Sequence, residues 1–98
     1  MVFELKYTAA AEDHLLELKD DLSKQRILKD VIKALRHMKT NLRHPSLNTH
    51  EYYSLKGPRG EKVFETYAQQ KTAGAYRIFW YYGPGKGAIS IVAILPHP

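Results

Sequence analysis

One arginine, Arg77, stands inside the apolar stretch AYRIFWYY (75–82). A guanidinium stays charged at any physiological pH, and its planar fork matches the oxygens of a phosphate or a carboxylate. Strand side chains alternate between the two faces of a sheet. Ala75, Arg77, Phe79 and Tyr81 therefore share one side, and Tyr76, Ile78, Trp80 and Tyr82 the other. In the preceding stretch KVFETYAQ (62–69), Val63, Glu65 and Tyr67 share a side, opposite Phe64, Thr66 and Ala68. Helices can cover only one face. The other would hold Arg77 among aromatic and titratable neighbours, where a phosphate could bind. The alternative for Arg77 is a cross-strand ion pair, for instance with Glu65, contributing roughly 0.2–1 kcal/mol.

The elements that must position these residues can be read along the chain. VFELKYT (2–8) alternates, with Phe3, Leu5 and Tyr7 on one face, and predicts a half-buried strand. Thr8 offers an N-cap to an amphipathic helix over AAAEDHLLELKDDL (9–22), with Ala11, Leu15, Leu18 and Leu22 at helical spacing. Ser23 offers a cap to a second helix over 24–42. Its apolar stripe is Leu28, Val31, Leu35, Met38 and Leu42, widened by Ile27, Ile32 and Ala34. So short a link predicts an antiparallel helical hairpin. Pro45 ends the helix, a short strand is expected near Glu51–Leu55, and GPRG (57–60) is a turn. Leu47, Tyr52, Tyr53 and Leu55 are expected to tuck this segment onto the core. Strands over 62–69, 75–82 and 88–95 follow, the last two joined by the glycine-rich loop GPGKG. The expected fold is a single α+β domain over 1–98: an N-terminal strand, a helical hairpin, then a three- to four-stranded antiparallel sheet with helices on one face.

The totals narrow the class further. Ninety-eight residues, 44% of them hydrophobic, suit one domain with a modest core. The net charge of +5 suits a polyanionic partner. Much of it lies on the outer face of the second helix, where Arg26, Lys29, Lys33 and Arg36 follow helical spacing. A ridge of like charges costs roughly 0.2–0.5 kcal/mol per close pair, so it points modestly to polyanion contact. The alternative is a solvated face. There is no cysteine, hence no thiolate metal site and no cysteine nucleophile. No apolar run approaches a membrane span. MVFELKYTAAAEDH lacks the layout of a signal peptide, so the expected location is the cytoplasm. GPGKG lacks the rest of a phosphate-binding P-loop and no helix follows it. His44 and His50 lack zinc-site spacing, and neither a metal nor a cofactor is expected.

The short strand, the basic helical hairpin, Leu55-x-Gly57, the segment Tyr76–Trp80 and the closing apolar strand with PHP together resemble the RelE/ParE superfamily of bacterial type II toxin–antitoxin toxins. The resemblance spans essentially the whole chain, and its most specific piece is YRIFW, where the family shows Y-R-[IVL]-x-[YF]. It implies a toxin that is a metal-free, ribosome-dependent mRNA endoribonuclease. The implied alternatives are a ParE-like DNA gyrase inhibitor or a non-catalytic relative acting as a binding module. By residue match Arg77 would contact the scissile phosphate. His97, next to the C-terminus between Pro96 and Pro98, resembles the general acid of YoeB-like members. Glu65 would then be the base, and Tyr67 or Tyr81 could stack a nucleobase or hold a proton. Lys56, Arg59 and Lys62 would add RNA phosphate contacts. The chain departs from RelE-like nucleases in having FETYA where they often carry lysine or arginine, and LPHP where some carry a further arginine. The implied partners are an acidic antitoxin, mRNA and the ribosome. The basic ridge would serve either the antitoxin or ribosomal RNA. A general RNA-binding sheet is disfavoured, because the ribonucleoprotein signature is missing and the helix order is wrong.

Overall fold

A computed structural model describes residues 2–70 and 72–97 of the chain; Pro98 lies outside them. In chain order the elements are β1 (Glu4–Tyr7), α1 (Ala9–Asp20), a 3-10 turn (Leu22–Lys24), α2 (Gln25–Thr40), a second 3-10 turn (Pro45–Leu47), β2 (His50–Lys56), β3 (Lys62–Tyr67), β4 (Tyr76–Tyr82) and β5 (Ala88–Pro96). The strands form one sheet in the order β1-β5-β4-β3-β2. The pairs from β2 to β5 are antiparallel. The N-terminal strand joins as a fifth, parallel to β5, with Leu5 opposite Ile89. The sheet is thus mixed, one strand wider than the antiparallel set expected from sequence.

Both helices lie on one face. Ala11 and Leu18 from α1 and Val31, Ala34, Leu35 and Met38 from α2 bury against Ile78, Trp80, Ile89, Ile91 and Ile94. At ~1.5–3 kcal/mol for each large apolar side chain removed from water, this layer is the principal stabilising term. Thr8 caps α1, its hydroxyl accepting from Ala11 N–H at 3.1 Å. Ser23 does not cap α2 as expected. α1 stops at Asp20, and Asp21 instead accepts from Ser23 N–H, closing a 3-10 turn. The early stop leaves Leu22 almost fully exposed, while Ile32 at the edge of the α2 stripe is partly exposed. In the following segment Leu47 is buried and Tyr52 packs inward, but Tyr53 and Leu55 face solvent. Tyr53 and Leu55 sit on β2, an outermost strand of the sheet, rather than in a loop folded over the core.

β5 carries a bulge. Phe79 pairs with Ala93 and Trp80 with Ile91, so Val92 has no cross-strand partner. Such an extra residue reverses the alternation beyond it. Ile89 and Ile91 face the helices before the bulge and Ile94 does so after it. Leu95, paired with Arg77, is thereby turned to the helix-free side. The bulge is held by α1 and its cap. Thr8 Oγ1 donates to Val92 C=O at 3.3 Å, and Ile94 N–H donates to His14 Nδ1 at 3.1 Å. Among the described residues no helix is long and apolar enough to cross a membrane.

Candidate active site

The core assigns the faces. Ile78 and Trp80 lie under the helices, so Arg77, Phe79 and Tyr81 lie on the opposite side. Arg77 is directly opposite Tyr67 in the β3–β4 ladder, and Glu65 is opposite Phe79, one diagonal step from Arg77. That register puts the guanidinium carbon 3.6 Å from the centre of the Tyr67 ring, a cation–π contact of ~0.5–2 kcal/mol. It also puts Arg77 Nε 3.6 Å from Glu65 Oε2. Nη1 donates to the main-chain carbonyls of Gln69 at 2.8 Å and Tyr76 at 3.3 Å. Among the described residues Nε has no hydrogen-bond partner, so its attraction to the carboxylate is charge against charge.

Arg77 is 7% exposed and Glu65 3%. An ionised carboxylate so deep must be compensated, and among the described residues three groups surround it. Besides Arg77 there are two imidazoles. His97 Nδ1 is 3.3 Å from Oε2, and His50 Nε2 is 2.8 Å from Oε1. His97 reaches the site because the ladder continues past Pro96, with His97 N–H donating to Ala75 C=O at 2.8 Å. The tail is thus pinned at this point, and the bulge upstream sets which face it serves. Half of the His97 side chain stays exposed.

His50 is the site residue that sequence reasoning missed. It is the direct cross-strand partner of Glu65, and its ring meets Tyr67 edge-on at 5.9 Å. The signal was available: starting the short strand one residue before Glu51 places His50 on the face of Glu65. On the other face of the same strands, Thr49 Oγ1 lies 3.0 Å from Thr66 Oγ1, which accepts from buried Trp80 Nε1 at 2.8 Å. This chain anchors the backbone beside His50.

The remaining expected contacts are distributed differently. Tyr81 is 7% exposed, packed with Val63 and Phe79 under Tyr52, Val92 and Ala93. The helix-free side is therefore covered at that end, and Tyr81 has no open ring face on which a base could stack. Lys56 and Lys62 pair at the opposite end of the β2–β3 hairpin, with Arg59 in its turn. Lys62 is five residues from Tyr67, roughly 16 Å at ~3.3 Å per residue. Lys56 also lies 3.7 Å from Glu51.

The basic ridge of α2 divides. Arg26, 3.8 Å from Asp30, and Lys33 line a groove of about 430 Å³ that runs past Tyr67, Gln70 and Thr72. Lys29 and Arg36, with Lys33 shared between the two, line a second hollow that contains Leu28 and Ile32. Gln69 joins ridge and site, its amide donating to Asp30 Oδ2 at 3.1 Å while its main-chain carbonyl accepts from Arg77. At the groove wall His37 stacks on His44 with ring centres 3.9 Å apart. Desolvation there, followed by the charges of His44, Lys33 and Arg36, holds the His37 imidazole below its ordinary pKa.

The architecture and the cluster together define a class: a small α+β domain with a helical pair on one face of a mixed sheet and a buried cation on the other. Solved structures share the architecture along the whole chain. A YoeB/ParE toxin from Agrobacterium tumefaciens superposes with a TM-score of 0.69 at 11% identity, over 98% of this chain and 100% of that one. The archaeal RelE–RelB complex from Pyrococcus horikoshii gives 0.65 at 11% identity, over 98% and 96%. The YoeB–YefM complex from Staphylococcus aureus gives 0.67 at 10% identity, over the full length of both. No protein-family model and no curated protein matches the sequence. The chain therefore has the RelE/ParE fold.

Proposed function

We propose that the protein is a type II toxin that cleaves mRNA on the ribosome without a metal ion, and that an acidic antitoxin restrains it. The observation that carries this reading is the convergence of Arg77, Glu65 and His97 on the helix-free side of the sheet, within the fold of YoeB and RelE toxins. Cleavage by 2′-OH attack needs a cation for the charge building on the phosphate and an acid for the departing 5′-oxygen. Arg77 supplies the cation. His97 supplies the acid, because Glu65 accepts from Nδ1–H and so leaves Nε2 to carry the proton that the 5′-oxygen takes. Glu65 is too buried, with both oxygens engaged, to take the 2′-OH proton, which leaves to solvent water; Glu65 acts by orienting His97. Tyr67 holds the guanidinium over its ring. The groove bearing Arg26 and Lys33 gives the RNA backbone a cationic track toward Tyr67, and Lys56, Arg59 and Lys62 would meet phosphates several nucleotides away. Lys29 and Arg36, on either side of Leu28 and Ile32, suit an acidic amphipathic segment of the antitoxin.

The test is induction of the wild type, Arg77→Ala and His97→Ala, with growth and ribosome-dependent mRNA cleavage as readouts. The wild type arrests growth and cuts mRNA, and each variant loses about 10²-fold or more in rate. Equal toxicity of all three proteins would refute the assignment. One observation favours a second reading. The near-complete burial of Arg77 is what a structural arginine shows, and a gyrase-directed binding module would need no more. Pulse labelling separates the two: protein synthesis stops first for the nuclease, DNA synthesis first for the gyrase inhibitor.

A further inference from the structure

His50 stands outside the set of residues that the fold or the sequence pattern assigns to catalysis, yet its hydrogen bonds leave it little freedom. Its Nδ1 is 2.9 Å from the main-chain carbonyl of Asn48. A carbonyl can only accept, so Nδ1 carries a proton. Its Nε2 is 2.8 Å from Glu65 Oε1. If neither Nε2 nor Oε1 held a proton, two lone pairs would face each other at hydrogen-bond distance. One proton must therefore lie between them, with His50 as imidazolium or Glu65 as the neutral acid. Both ring nitrogens of His50 are engaged, so it cannot itself exchange a proton with substrate. What it can do is saturate Oε1 and offset the buried charge, leaving Oε2 for His97 at 3.3 Å.

We infer that His50 is a positioning residue for the proposed cleavage. The proton it shares with Glu65 fixes the carboxylate so that His97 keeps Nδ1–H on Oε2 and uses Nε2 alone to carry the proton it delivers. The charged and titratable groups around this pair are Glu65 and Tyr67 from β3, Arg77 from β4, and His97 beyond β5. Anchoring of Thr49 through Thr66 and Trp80 holds the backbone of the pair from the opposite face.

The catalytic half of this inference rests on the nuclease reading; the proton assignment does not. The experiment combines ¹⁵N NMR of the histidine rings with single-turnover cleavage of ribosome-bound mRNA, for the wild type, His50→Phe and His50→Gln. In the wild type, His50 shows a proton at Nδ1 and a shared proton at Nε2, and His97 shows the Nδ1–H tautomer. The phenyl ring keeps the contact with Tyr67 but has no donor. It abolishes the His97 tautomer preference and lowers the maximal single-turnover rate about 10²-fold with half-saturation unchanged, the lower end of a general acid's contribution. The amide of Gln donates to Oε1 and restores the rate to within about 10-fold of wild type. A wild-type spectrum with Nε2 of His50 unprotonated and Glu65 ionised overturns the inference, whether or not the variants fold. So does an unchanged rate and unchanged His97 ring in His50→Phe. A wild type that does not cleave RNA overturns the nuclease reading instead, and the ring spectra alone then decide the proton assignment.

Discussion

Replacing Arg77 with methionine keeps most of the side-chain volume and removes the charge. The variant loses a charged hydrogen bond to Gln69 C=O, worth about 1.5–3 kcal/mol, and the cation–π contact with Tyr67, worth about 0.5–2 kcal/mol. The larger effect falls on Glu65, which is left buried without its guanidinium. Breaking a buried ion pair from one side costs about 3–5 kcal/mol. That cost already contains the lost hydrogen bond and cation–π contact, and His50 and His97 still face Glu65 and soften it, so the expected net loss is about 3 kcal/mol, toward the bottom of that range. A domain of this size has about 5–15 kcal/mol to lose, so the variant still folds. Its urea midpoint should fall by about 1.5–2 M, taking a slope of ~1.5–2 kcal/mol per M. The double variant with Glu65→Gln should recover about 1–3 kcal/mol relative to additivity, because no buried carboxylate is then stranded. A loss under about 1 kcal/mol for Arg77→Met, the scale of an exposed ion pair, or strict additivity in the cycle, would refute the coupling of Arg77 to Glu65.

Three other expectations rest on single contacts. Trp80→Phe removes the indole N–H from Thr66 Oγ1 and should lower stability by about 1–2 kcal/mol, or Tm by about 5–10 °C; an unchanged Tm would contradict it. His14→Ala strips the acceptor from Ile94 N–H at the bulge. The loss should be about 1–2 kcal/mol, with faster hydrogen exchange at that amide; unaltered exchange would show that the imidazole does not hold the bulge. His37 has a folded pKa below its unfolded one, so on acidification the unfolded chain binds the proton first. The stability it contributes is present above the ordinary imidazole pKa of ~6.5 and is lost as pH falls through that value toward the lower folded one. His37→Gln should therefore flatten the decline in urea midpoint between about pH 7 and pH 5, and an identical slope in both proteins would rule this out.

The side of the sheet taken by Arg77, Glu65 and Tyr67 was legible because it needs only the period-two rule within uninterrupted strands. The apolar stripe of α2 was legible for the same kind of reason, since Val31, Leu35 and Met38 repeat at helical spacing and are buried. What escaped was whatever depends on distant partners. His50 was missed because strand ends are the least determined part of a pattern, and its pairing with Glu65 spans a hairpin. The place of β1 beside β5 joins the two ends of the chain, which no local spacing encodes. The covering of Tyr81 comes from residues on two other strands. Even the end of α1 turned on a competition within the chain, in which the Asp21 side chain satisfied Ser23 N–H locally and stranded Leu22.

The unpaired Val92 gives the last residues of the chain an odd–even rule. Beyond it each residue turns the backbone over, so gaining or losing one residue before His97 would send the imidazole toward the helices. Adding or losing two would restore the side but slide the ring about 6.6 Å along the strand, at ~3.3 Å per residue, out of range of Glu65. A chain end is ordinarily where length drifts most freely. Here both parity and reach fix it, so any insertion or deletion in that short tail should be harmless only if a compensating change arises at Val92 itself.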